Sequence, residues 1–104
     1  FIRERKTVGA VLPSSKFLAA KMLKGIDFSK DLNIVELGPG TGIFTKEIIK
    51  KISPESNLIS IELNNSFYNQ LTHRFKNNHG FTPVLGSADN ISNIINSASP
   101  TIPY

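Results

Sequence analysis

Three glycines at alternate positions, Gly38, Gly40 and Gly42, stand between a short apolar run and a helix-patterned segment in the stretch Asn33 to Lys50, NIVELGPGTGIFTKEIIK. Glycine lets the backbone take positive φ and come close to a ligand, and a helix that starts just after such a turn offers amide N–H groups with no intrahelical partner. Together these features make a cradle for a nucleotide-like molecule. The spacing excludes two versions of it. A dinucleotide fingerprint G-x-G-x-x-G needs glycine at position 43, where Ile43 stands, and no Gly-Lys-Ser/Thr follows to make a P-loop.

Three acids belong with this turn. Glu36 is flanked by Val35 and Leu37 in a run that should be buried, where a carboxylate needs a partner. Glu62 closes the apolar run Asn57 to Leu63, and Asp89 lies in Gly86-Ser87-Ala88-Asp89-Asn90 after a third run, Phe81 to Leu85. Taken singly, Glu62 reads as a solvated strand end and Asp89 as the cap of a helix starting near Ile91. His73 and His79 stand alone in helix-face and turn contexts and read as surface residues. The chain has no cysteine, so a disulfide, a zinc-thiolate site and a thiol nucleophile are all excluded, and no metal site is expected.

The elements that must position these residues follow from the periodicity. Residues 1–11 show no clear period and begin without methionine, as in a trimmed sequence. Pro13-Ser14-Ser15 reads as a helix start, with the helix running to about Gly25. Leu18, Ala19, Met22, Leu23 and Ile26 share one face of it, and Lys16, Lys21 and Lys24 the other; Phe17 falls among the lysines, where it should pack on another segment. Next come a strand from Asn33, a helix from Gly42 to about Ser53-Pro54, and a second buried strand over Asn57–Leu63. A helix over Asn64–Asn77 presents Phe67, Leu71 and Phe75 on one side. Pro83 places the third strand, Phe81–Leu85, at a sheet edge, and a short helix is expected over Ile91–Ile95 before an aperiodic tail.

Strands alternating with helices imply right-handed crossovers and a parallel sheet that binds ligands at its carboxyl ends. The glycine turn with Glu36, then Glu62, then Asp89 fall at three such ends. At 104 residues the chain is at most one small domain. It divides into a basic helical segment over 1–30 and a ligand-binding strand-helix segment over 31–104. The charge follows this division: residues 1–30 carry a net +5 and residues 31–104 a net −1. A basic end faces either an anionic partner or only solvent. Nothing is long and apolar enough to span a bilayer, so the expected location is cytoplasmic, with room for peripheral attachment to the inner face of a membrane.

E-L-G-P-G-T-G between strand and helix, an acid ending the next strand and G-S-A-D-N after the third resemble the first three motifs of class I S-adenosylmethionine-dependent methyltransferases, over residues 33 to 90. The resemblance implies the N-terminal half of a Rossmann-like α/β fold, with three parallel strands, flanking helices and an apparent truncation. It also implies a binding set. Gly38, Pro39, Gly40, Thr41 and Gly42 would meet the methionine part of S-adenosylmethionine, with Glu36 ordering the loop. Glu62 would accept from the ribose hydroxyls, Leu63 would lie against adenine, and Asp89 would accept from the adenine amine with Ala88 and Asn90 beside the ring. No catalytic residue is assigned.

The acceptor is read from the N-terminal segment. VGAVLPSSKFLAAKML resembles the G-A-V-x-P-S-S element of bacterial phospholipid N-methyltransferases, which implies phosphatidylethanolamine as substrate and a phospholipid surface as partner. A basic amphipathic helix suits that role. The rival resemblance is to ribosomal RNA adenine dimethyltransferases, with RNA as partner; their Gln-Asn-Phe-Leu element is absent, and Thr101-Ile102-Pro103-Tyr104 matches their Asn-Leu-Pro-Tyr only superficially. The class I sheet has seven strands and three are legible here. A non-catalytic cofactor-binding fragment is therefore the third expectation, with one edge of the first strand left exposed.

Overall fold

Apolar runs separated by helix-length segments become strands joined by crossovers. The computed structural model describes residues 2–3, 8–12, 16–91 and 93, with side chains from residue 19 on. In chain order the elements are β1 (Ile2–Arg3), β2 (Val8–Leu12), α1 (Lys16–Lys24), β3 (Leu32–Leu37), α2 (Ile43–Lys51), β4 (Asn57–Glu62), α3 (Asn65–Arg74) and β5 (Phe81–Leu85). A 3-10 turn over Ala88–Asn90 follows.

The sheet has the order β1-β2-β3-β4-β5. β3, β4 and β5 are the three expected parallel strands, and β5, with Pro83, is an edge strand as read from sequence. The exposed edge expected on the first of them is corrected, because β2 pairs parallel with β3, with Ala10 opposite Ile34 and Leu12 opposite Glu36. β1 pairs antiparallel outside it. The segment without a period is thus partly strand. Val8-Gly9-Ala10-Val11-Leu12 is a continuous uncharged run, the pattern of a parallel strand, which shows no alternation to detect.

Each step from β2 to β5 moves one place along the sheet through one helix. Right-handed crossovers stepping the same way put α1, α2 and α3 on the same face. Leu32, Ile34 and Leu58 point to that face and pack with Leu23 of α1 and Ile48 of α2. Phe75, which ends α3, meets Phe81 of β5 edge to face at 5.5 Å. The opposite face carries Val35, Ile59 and Ile61, against which Leu37, Val84 and Ile91 pack. Burying Ile48 and Leu58 completely is worth about 1.5–3 kcal/mol each.

The α1 periodicity is observed where side chains are described: Ala19 and Leu23 are buried, and Lys21 and Lys24 are exposed. The Pro13-Ser14-Ser15 helix start, the side chains of Phe17 and Leu18, and the 94–104 tail lie outside the described residues. Ile91 and Asn93 are helical. His73 and His79 are both exposed.

Candidate functional site

β3, β4 and β5 run parallel, so the segments leaving their carboxyl ends gather on one rim of the sheet. There the three loop glycines all take positive φ, 63° at Gly38, 58° at Gly40 and 86° at Gly42. A side chain at Gly42 would put its Cβ 2.9 Å from Leu71 Cδ2 and 3.1 Å from Phe75 Cε2 of the α3 segment. At Gly40 a Cβ would meet nothing within 4 Å. One glycine is needed for packing beneath the loop, and the other borders open space.

That space is a cleft of about 220 Å³, lined by Glu36, Gly38, Pro39, Gly40 and Thr41 on its polar side. Its apolar side is built from Ala19, Ile43, Phe44 and Phe67. These four were not legible as site residues. Phe67 shares the helical stripe of Leu71 and Phe75, a core signal, yet those two are buried while Phe67 is only half-buried and turns to the cleft. Ile43 is 57% exposed at the start of α2, which has Gly42 as N-cap and no side-chain cap.

The acids differ sharply in environment. Glu36 is buried, and its Oε1 accepts from Thr45 Oγ1 at 2.6 Å and Ser60 Oγ at 2.7 Å. The partner demanded by its place in a buried strand is therefore a pair of hydroxyls, one from α2 and one from β4. Burial pushes the Glu36 carboxyl above its ordinary range, the two hydrogen bonds oppose this, and the negative charge of Glu62 adds to the rise.

Glu62, also buried, divides its two oxygens between two backbone amides. Oε1 accepts from Gly40 N–H at 2.8 Å and Oε2 from Asn64 N–H at 2.9 Å. A carboxylate has about four lone-pair sites, so each oxygen keeps one. Backbone bonds also hold the loop, with Gly38 N–H donating to Ile61 O at 2.9 Å and Gly42 N–H to Pro39 O at 3.0 Å.

The remaining expected residues sit on the same rim but outside the cleft lining. Leu63 is 74% exposed. Ala88, Asp89 and Asn90 form the exposed 3-10 turn after β5, where Ser87 Oγ accepts from Asp89 N–H at 3.1 Å. Ser87 is the capping residue of that turn. Among the described residues no cluster of acids and histidines could hold a metal, and no helix is long and apolar enough to cross a membrane.

A family model described as ribosomal RNA adenine dimethylase matches residues 3–87. An ornithine lipid N-methyltransferase of Singulisphaera acidiphila is 30% identical over 91% of this chain and 50% of its own length. Ribosomal RNA small subunit methyltransferase A of Hydrogenobaculum sp. is 30% identical over 73% of the chain and 29% of its own. The enzyme of that name from Sulfurihydrogenibium sp. is 36% identical over 71% and 28%. The chain thus spans half the length of the first relative and under a third of the other two. No solved structure gives a significant match.

Proposed function

The chain belongs to the ribosomal RNA adenine dimethylase family of S-adenosylmethionine-dependent methyltransferases, and from that premise we propose that it forms the cofactor-binding half of an enzyme that N-methylates the amine of a lipid headgroup. The observation that carries the acceptor is the breadth of the lipid-enzyme match, which takes in 91% of the chain, against 73% and 71% for the two ribosomal enzymes. The net +5 of residues 1–30 supports it, since an anionic membrane surface attracts such a segment.

The cleft suits the cofactor. Gly40 leaves its Cβ position empty at the edge of the cleft, and the walls pair the Glu36 carboxyl and backbone dipoles with aromatic and aliphatic surface. Bound S-adenosylmethionine supplies a methyl group activated by the adjacent sulfonium. The chain's own residues bind and align. Glu62 uses its free lone pairs on the ribose hydroxyls while keeping the loop amide of Gly40 in place. Leu63 lies against adenine, and Asp89 accepts from the exocyclic amine with Ala88 and Asn90 alongside. The loop from Gly38 to Gly42 and the buried Glu36 receive the methionine end, with Phe44 and Phe67 keeping water off one side. Holding the methyl group in line with an attacking amine is the main contribution such a site makes.

The family model and the ribosomal relatives favour a second reading, in which the acceptor is an adenine of ribosomal RNA. A third reading, carried over from the sequence, is a chain that binds cofactor without transferring methyl. One experiment separates all three. The chain is titrated calorimetrically with S-adenosylmethionine, then incubated with the methyl-labelled compound and either vesicles containing an aminolipid or structured ribosomal RNA. Label in lipid supports the proposal, label in RNA replaces it with the second reading, and binding without transfer leaves the third. Absence of binding sinks the cofactor assignment.

A further inference from the structure

Arg74 ends α3, away from the glycine loop in sequence, and nothing in its helical pattern singles it out. Its Nη1 nevertheless donates to the carbonyl of Thr41 at 3.0 Å, across 33 positions of chain. The guanidinium carbon lies 5.1 Å from the ring centroid of Phe75, the ring whose edge would touch a Cβ at Gly42. These contacts form a stack: arginine on aromatic, aromatic under Gly42, and the arginine's own N–H on the preceding carbonyl. A planar guanidinium can make both contacts at once, because its face stacks while its edge donates.

The glycine loop is therefore held from two directions by the β4–α3 unit. Glu62 takes the N–H of Gly40 on one side, and Arg74 takes the C=O of Thr41 on the other. Between the two bonds lies the Gly40–Thr41 peptide. Fixing a donor before it and an acceptor after it fixes its orientation, which three positive-φ glycines would otherwise leave loose.

We propose that Arg74 is a positioning residue for the cofactor cleft, setting the orientation of the glycine loop through the Thr41 carbonyl. This rests on the cofactor reading of the cleft only for its consequence in binding; the effect on the loop stands apart from it. Arg74 is exposed, so its replacement leaves the core intact.

The test compares wild type, Arg74→Ala and Arg74→Lys by amide hydrogen exchange in the free chain and by calorimetric titration with S-adenosylmethionine. In Arg74→Ala, exchange at Gly40, Thr41 and Gly42 rises about fivefold, the equivalent of one ordinary hydrogen bond, while Ile59 and Ile61 of β4 keep their protection. Affinity for the cofactor falls by a similar factor. Arg74→Lys, which keeps a long donor, recovers at least part of both. Unchanged exchange at the loop in Arg74→Ala overturns the proposal, as does a rise shared equally by β4 or an equal loss in both variants. A wild-type chain that binds no cofactor sinks the reading of the cleft instead, and the exchange data still decide the role of Arg74.

Discussion

The N–H of Gly40 donates to Glu62 Oε1 at 2.8 Å, so the carboxylate that ends one strand holds the loop that leaves its neighbour. Glu62 is placed for this by the parallel register, in which Leu37 lies opposite Ile61 and the two chains exit side by side. The same side chain then reaches Asn64 N–H, tying the start of α3 to the loop.

Replacing Glu62 should therefore act twice. Glu62→Ala removes the acceptor from two backbone amides and the ribose ligand proposed for the cofactor, and hydrogen bonds to a charged group are worth about 1.5–3 kcal/mol each. The expected result is S-adenosylmethionine affinity weakened about tenfold or more, with faster amide exchange at Gly40. Calorimetry on the variant checks it, and undiminished affinity would remove Glu62 from the binding set.

The glycines separate packing from binding. Gly42→Ala drives a methyl into Leu71 and Phe75 at 86° φ, so it should destabilise the chain by about 1–3 kcal/mol by overpacking, in addition to backbone strain. Gly40→Ala meets no neighbour, and its stability cost should be only the roughly 1–2 kcal/mol of an L-residue at positive φ. Gly40 lines the cleft, however, so an added methyl there is expected to disturb the bound ligand. Chemical denaturation should rank Gly42→Ala as the less stable, and calorimetry should show cofactor affinity reduced in Gly40→Ala; a Gly40 variant that binds as wild type would place the ligand elsewhere.

Glu36 predicts a pH dependence. Burial raises its folded-state value above the unfolded one, so between those two values the native chain holds more protons than the unfolded chain. Its contribution to stability is full below the unfolded value and is lost as pH rises through the folded one. Glu36→Gln keeps an acceptor oxygen for Thr45 and Ser60 without the charge, so it should be more stable than wild type near neutrality and lack that decline. Glu36→Ala strands both buried hydroxyls and should cost about 2–5 kcal/mol. Urea denaturation from about pH 4 to 8 checks the pattern, and parallel slopes for wild type and Glu36→Gln would refute it.

What could be read in advance followed the strength of local signals. The loop, the three strands around it and the acid at each carboxyl end were legible because glycine spacing, apolar runs and helix periodicity are properties of neighbouring residues. β2 was not, since a five-residue apolar run becomes a strand only through its pairing with β3, 20-odd residues on. Thr45 and Ser60 were likewise silent, because small hydroxyls on an otherwise apolar face become meaningful only when Glu36 is brought between them. Phe67 misled for the opposite reason: its spacing matched a core stripe, but it stands in the first turn of α3, where the ring borders the cleft instead of the core.

The choice of acceptor can be tested on α1. Ala19 of α1 lines the cleft, while Lys21 and Lys24 are exposed to solvent on the same helix. A basic residue near an anionic lipid surface contributes about 1 kcal/mol, so the double reversal Lys21→Glu/Lys24→Glu should weaken binding to phosphatidylserine vesicles by at least about thirtyfold. Raising the salt concentration should weaken wild-type binding in the same direction, because exposed charges are screened beyond a Debye length of about 8 Å. Cosedimentation at two ionic strengths measures both effects. Cofactor affinity in the double variant should stay at the wild-type value, since neither lysine lines the cleft. Vesicle binding insensitive to the reversal and to salt would detach α1 from the membrane and leave the ribosomal reading the stronger of the two.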